Sequence, residues 1–218
     1  MADVTLPGTV HVVDDVSAAF ARLVTDSVTH SIALSGGDTA DTCYRALRGA
    51  SVDWAAVEVF FGDERFVPVD SPDSNEGMAR RALLDFVPVR AIHSMYQPVP
   101  IDDAAHAYDD LLRAAPPIDL VHLGVGPDGH TASLFPGSPA LDEAERLVIA
   151  TGDAAHPQPR LTFTFPAIAR ARMVVVTVTG EEKRAAIERI EAGDDLPAAR
   201  IRGQHVVWLG DRAALGGQ

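Results

Sequence analysis

The stretch IDLVHLGVGPDGHTASLFPG, Ile118 to Gly137, decides how the rest of the chain is read. An apolar run ends in Gly124-x-Gly126-x-x-Gly129, the spacing of a dinucleotide-binding turn, and His130 follows the last glycine directly. That fingerprint works by bringing backbone N–H groups and a helix N-terminus close to a pyrophosphate. Three features oppose it here. Pro127 removes a donor, Asp128 adds negative charge where the pyrophosphate would lie, and Pro136, Gly137 and Pro139 interrupt any helix that would follow. What remains is a tight glycine loop at a strand tip that presents Asp128 and His130. An imidazole, with its ordinary pKa of about 6.5, takes a proton from water near neutral pH, and a neighbouring carboxylate fixes its tautomer.

Working outward from this loop, apolar β-rich runs alternate with helical patterns. TVHVVDD (9–15), SIALSGG (31–37), VEVFFGDER (57–65), IDLVHLGVG (118–126), RLVIATG (146–152), RLTFTFP (160–166), RMVVVTVTG (172–180) and QHVVWLG (204–210) read as strands. Helical spacing covers VSAAFARLVTDSV (16–28), TADTCYRALRGA (39–50), SNEGMARRALLDFV (74–87), DDAAHAYDDLLRAA (102–115) and EEKRAAIERIEAG (181–193). Ser74 or Asn75 is the expected N-cap of the third helix, and Pro116 and Pro117 stop the fourth. Several strands are nearly continuous hydrophobic runs, the pattern of a sheet covered on both faces. The expected fold class is therefore α/β, with a largely parallel central sheet flanked by helices. At 218 residues, a single domain spanning 1–218 is expected.

In such sheets ligands bind beyond the carboxyl ends of the strands, where the strand order reverses. Four predicted strands end in chemically loaded tips, LSGG, FFGDER, LGVGPDGH and VTVTGEEK, so one crevice is expected to collect all four. In LSGGDT (34–39), Ser35, Gly36 and Gly37 let backbone N–H groups approach a phosphate at a helix start. Asp38 sits poorly beside such an anion and could instead cap the helix with its side chain turned away. In FFGDERFVP (60–68), Asp63, Glu64 and Arg65 follow a buried strand, where charge is costly unless paired or used. Arg65 either forks onto a phosphate or carboxylate, or salt-bridges one of its acidic neighbours. Asn75 is placed to cap a helix, to bind ligand, or to do both. Arg160 begins a strand, and Lys183 falls in the first turn of a helix, where its charge opposes the helix dipole unless an anion docks there.

Composition narrows the function. The net charge is −13, from 18 basic and 31 acidic side chains, and no basic stripe for nucleic acid is visible. An anionic substrate would therefore need local cations to overcome a repulsive global field. No apolar run approaches the ~20 residues that cross a bilayer. The start MADVTLPGTV lacks the marks of a signal peptide, and the single cysteine, Cys43, excludes an internal disulfide and a zinc site built on several thiolates. The expected location is cytoplasmic.

These segments, in this order, resemble the 6-phosphogluconolactonase family. The most specific pieces are GDER followed by SN, and LGVGPDGHTASLFPG. The resemblance implies the fold shared with glucosamine-6-phosphate deaminases and ribose-5-phosphate isomerases. It implies hydrolysis of 6-phosphogluconolactone in the oxidative pentose phosphate pathway, with no cofactor and no metal. It makes His130 the general base on water, supported by Asp128. Arg65 and Lys183 would contact the substrate's phosphate or hydroxyls, with Ser35, Gly36, Gly37, Asp63, Asn75 and Arg160 completing the binding site. Backbone N–H groups of the Gly126–His130 loop, or a cationic side chain, would stabilise the oxyanion. The expected partner is a small sugar-phosphate lactone, with no nucleic acid or membrane involved, bound by a monomer or weak homo-oligomer.

Two departures from the family pattern stand out. SGGDTA replaces the common SGGSTP, and DAAHPQPR offers His156 where a lysine is usual. Among rivals, the deaminases continue their GxGxDGH run to FNEPG with a catalytic glutamate, whose place Phe135 takes in SLFPG. A non-catalytic sugar-phosphate sensor would keep its phosphate ligands and lose the chemical residues; here Asp128 and His130 stand while residues around the phosphate vary.

Overall fold

A computed structural model describes residues 6–152 and 158–216. The strands β1 (Thr9–Val12), β2 (Ser31–Leu34), β3 (Glu58–Phe61), β5 (Ala91–Ile92), β6 (Leu120–Gly124), β9 (Met173–Val178) and β10 (His205–Gly210) form one sheet in the order β1-β10-β9-β6-β2-β3-β5. Every pairing in it is parallel. The helices α1 (Val16–Ser27), α2 (Asp38–Leu47), α3 (Asn75–Ala79), α4 (Ile101–Ala114), α5 (Phe165–Ala169), α6 (Arg184–Glu191) and α7 (Arg212–Leu215) connect and cover it. From β2 the chain winds through β3 to β5, then returns to β6 on the other side of β2. The reversal thus falls between β2 and β6, which places the SGG turn and the His130 loop side by side at the strand ends.

The apolar pattern explains the packing. α1 buries Val16, Ala19, Phe20 and Val24 at helical spacing, and its N-cap Asp15 accepts from the Ala18 amide at 2.9 Å. It packs on α2 and against β9 and β10. Burial of a side chain such as Phe20 contributes about 2–3 kcal/mol.

Three departures from the predicted elements stand out, the first of which shapes the site. VEVFFGDER is not one strand. β3 ends at Phe61, and β4 (Asp63–Arg65) leaves the parallel sheet to join β8 (Arg160–Phe163) and β7 (Val148–Thr151) in a small antiparallel sheet. Gly62 is the joint: its N–H donates to Leu34 O in the parallel sheet (2.8 Å), while its C=O accepts from Phe163 N in the other (2.7 Å). A continuous apolar run carries no mark of such a change of partner. Second, the helix that begins with α3 continues as a π-helical turn over Arg80–Leu84, and the helix predicted from Glu181 opens as a 3-10 turn, Glu181–Lys183. Third, β1 stops at Val12, three residues short of the predicted end at Asp15.

Candidate active site

The loop after β6 is closed by its own backbone. Gly126 N donates to His130 O and Gly129 N to Gly126 O, both at 2.9 Å, while Thr131 Oγ1 donates to Gly124 O at 2.9 Å. Gly129 takes φ +86°, a region that favours glycine. Gly126 answers to space: a Cβ there would lie 2.1 Å from His130 Nδ1 and 2.7 Å from Asp128 Oδ1. The imidazole therefore lies directly over the Gly126 backbone.

His130 Nδ1 lies 2.6 Å from Asp128 Oδ1, and the same oxygen accepts from the His130 amide at 3.1 Å. Partial burial would raise the Asp128 carboxyl, but the His130 backbone N–H and imidazole hold it below the ordinary carboxylate range. An ionised Asp128 accepts only, so Nδ1 carries the proton of the neutral ring and the basic lone pair is on Nε2. Phe135 packs on the ring with centroids 4.9 Å apart, and the Arg160 guanidinium carbon lies 5.5 Å from the other partner, the Phe135 ring. Ala132, in the same loop, has φ +49°, the single non-glycine in the left-handed region among the described residues. Its neighbour Ser133 pins the turn, donating from Oγ to Asp63 Oδ2 at 2.7 Å and from N to Thr162 Oγ1 at 3.1 Å.

The β4 segment supplies the second group. No ion pair joins Arg65 to Asp63 or Glu64 among the described residues, so the alternative of a local salt bridge is absent. Arg65 Nη1 instead donates to Asn75 Oδ1 (2.7 Å) and Asp73 O (2.9 Å), and its buried Nε has no hydrogen-bond partner among the described residues. Asn75 Nδ2 in turn donates to Asp63 O at 2.9 Å. The cap of α3 is Ser74, which accepts from Gly77 N. Glu64 turns back under this helix start, accepting from Asn75 N and Glu76 N at 2.7 Å and from Ser74 Oγ at 2.9 Å. Burial pushes its carboxyl up to about 7, against these donors, which pull it down. Gly36 sits against the same group, since a Cβ on it would fall 1.9 Å from Asn75 Oδ1.

Ser35, Gly36, Gly37, Asp63, Arg65, Asn75, His130, Arg160 and Lys183 line one cleft of about 200 Å³. Asp128 reaches it through His130. A smaller cavity of about 150 Å³ adjoins, sharing Ser35, Gly36, Gly37 and Lys183 and bounded also by Asp38. The four strand tips thus meet at one place. Three cations and one carboxylate line the main cleft of a chain whose net charge is −13, which makes it a local positive well.

One role offered by the sequence fails, and another is narrowed. Asp38 does not cap α2: it is the first helical residue, Gly37 holds the cap position at φ +98°, and no side chain caps there. Most of the backbone donors offered for an oxyanion are also committed, because the N–H groups of Gly126, Gly129 and His130 are bonded within the loop and Pro127 has none. His156 lies outside the described residues. Among the described residues no three His, Cys, Asp or Glu side chains group to hold a metal, and no helix is long and apolar enough to cross a membrane. Sequence reading missed Ser133 and the buried His122 and Tyr44 beside the SGG turn; the only signal was a polar letter inside a loop for Ser133, inside an apolar strand for His122 and on the apolar face of a helix for Tyr44.

Residues 9–208 match the family model of glucosamine-6-phosphate isomerases and 6-phosphogluconolactonases. The 6-phosphogluconolactonase of Synechocystis sp. is 42% identical, over 91% of this chain and 89% of its own. Among solved structures, the 6-phosphogluconolactonase of Trypanosoma brucei superposes with a TM-score of 0.81 at 31% identity, over 96% of this chain and 98% of its own. A monomeric glucosamine-6-phosphate deaminase shares the fold, with a TM-score of 0.82 at 18% identity over 94% of this chain and 98% of its own.

Proposed function

The chain belongs to the glucosamine-6-phosphate isomerase/6-phosphogluconolactonase family, and from that premise we propose that it hydrolyses 6-phospho-D-glucono-1,5-lactone to 6-phosphogluconate, as a step of the oxidative pentose phosphate pathway. One observation carries this reading. An imidazole backed by a carboxylate opens onto the same cleft as two arginines and a lysine.

Asp128 keeps the His130 proton on Nδ1, and Nε2 takes a proton from water. The water oxygen attacks the lactone carbonyl carbon, forming a tetrahedral oxyanion that a cation of the cleft stabilises. The bond from that carbon to the ring oxygen then breaks, and the imidazolium returns its proton to the leaving oxygen. The new carboxylic acid ionises, so each turnover releases one proton. Arg65 and Lys183 hold the phosphate, which leaves Arg160 for the oxyanion and turns the attack into an oriented, near-intramolecular event. A δ-lactone is already reactive in water, and a positioned base worth about 10²–10⁴-fold suffices without a nucleophilic serine.

Phe135 argues against deamination. In the deaminases a catalytic glutamate occupies that position, whereas here a buried phenyl ring, 4.9 Å from the imidazole, offers nothing to shuttle a proton. The test is proton release from freshly generated 6-phosphogluconolactone, with gluconolactone lacking the phosphate as control. The phosphorylated lactone should be preferred about 100-fold or more in kcat/KM, the scale of losing charge-assisted contacts. Equal rates would overturn the assigned role of the cations.

A further inference from the structure

Beside the SGG turn runs a chain of polar side chains that the chemistry above does not use. Tyr44 on α2 and His122 in β6 are both 0% exposed. Ser35 N lies 2.7 Å from Tyr44 Oη, and Tyr44 Oη lies 3.2 Å from Ser35 O. Tyr44 Oη also lies 2.8 Å from His122 Nδ1, and His122 Nε2 lies 2.8 Å from Thr177 Oγ1. Phe20 seals the ring with centroids 4.3 Å apart.

With all four contacts taken as hydrogen bonds, counting protons leaves one arrangement. Burial holds the His122 pKa down at about 3, so the ring is neutral and carries one N–H. Four contacts then share four protons, one each from Ser35 N, Tyr44 Oη, His122 and Thr177 Oγ1. The Ser35 carbonyl has no proton, so Tyr44 must donate to it. The Tyr44–His122 contact must then use a ring proton, which places it on Nδ1. Nε2 becomes an acceptor, and Thr177 donates to it. In the opposite tautomer Tyr44 would give its proton to Nδ1, and the Ser35 carbonyl would lose its donor.

We propose that Tyr44 and His122, the latter as its Nδ1–H tautomer, are positioning residues that clamp both backbone polar groups of Ser35 and so fix the Ser35–Gly37 turn for substrate binding. The proposal rests on the lactonase reading of the cleft. The clamp spans the point where the sheet reverses. Ser35 follows β2, His122 is in β6, and Thr177 in β9 stands in register with Gly124, the first glycine of the His130 loop. One relay therefore ties the turn on the cation side of the cleft to the strand that carries the base. A glycine pair keeps little backbone order of its own, and a phosphate gains from the turn only when its amides are already aimed.

Two measurements test this. Long-range ¹H–¹⁵N correlation on the intact protein should place the His122 proton on Nδ1 and show no titration of that ring from about pH 5.5 to 8. A proton on Nε2, or a titrating ring, would overturn the assignment. In kinetics, Tyr44→Phe removes one oxygen and should raise KM for 6-phosphogluconolactone about tenfold with kcat within about threefold, the signature of lost binding geometry. His122→Asn, whose amide nitrogen can replace Nδ1–H, should stay nearer wild type than His122→Leu. Unchanged KM in folded Tyr44→Phe, or equal loss in the Asn and Leu variants, would refute the clamp. Lack of lactone turnover in the wild-type protein would defeat the functional reading instead, while the tautomer measurement needs no substrate and no variant.

Discussion

Arg65 and Arg160 stand directly opposite each other in the antiparallel register of β4 and β8, and both line the cleft. An anion held between the two guanidiniums would gain charge-assisted contacts from both. Inorganic phosphate should therefore raise the melting temperature of the wild-type protein, and Arg65→Ala should remove most of that rise. Thermal unfolding across a phosphate series checks it. A melting temperature indifferent to phosphate would speak against an anion site.

Gly126 is where the sequence's bare fingerprint gains a physical meaning. With the His130 ring 2.1 Å from its missing Cβ, Gly126→Ala must push the imidazole off Asp128 or out of the cleft. Turnover should fall about 100-fold or more, since a displacement of ~1 Å at a base is enough for that. Circular dichroism and melting should change little. Near-normal kcat would mean that the observed ring position is not the working one.

Gly36→Ala acts on binding instead. Its Cβ would strike Asn75 Oδ1, the group that holds Arg65 Nη1 at 2.7 Å. KM should rise about tenfold with a smaller effect on kcat, and Asn75→Ala should give the same pattern. The two changes act on one contact, so the double variant should be little worse than either single one, which a double-mutant cycle measures.

Far from the cleft, Asp119 ties the start of β2 to the start of β6. Its Oδ2 accepts from the backbone of Thr29, His30 and Ser31 at 3.1, 2.7 and 3.2 Å. Burial alone would raise its carboxyl, but these donors hold it below the ordinary 3.8. A depressed carboxyl stabilises the fold above the unfolded-state value, and that contribution is lost as pH falls through the folded-state value. Denaturant unfolding should show stability falling below about pH 4. Asp119→Asn should cost about 2 kcal/mol at pH 7 and flatten the acid dependence. An unchanged acid limb would contradict it.

Much of this was legible in the letters. Continuous apolar runs gave the parallel sheet, because a strand buried on both faces needs no polar side. Glycines and charges at strand tips located the cleft, because burial makes such letters costly elsewhere. The turn-out at Gly62 was hidden, since Phe60 and Phe61 look the same whether the next residues pair in the same sheet or another. Asp38 is a residue type that caps well, but the backbone places Gly37 at the cap position. Tyr44, His122 and Thr177 were invisible as a unit. They lie on three different elements, and only the sheet order brings them together.

The base proposed to draw the proton from water is His130. The direct measurement is turnover of 6-phosphogluconolactone by His130→Asn, alongside binding of the product 6-phosphogluconate to the same variant. Loss of the base should lower kcat by about 10²–10⁴-fold while product affinity stays within a few-fold. A variant that retains wild-type kcat would contradict the account.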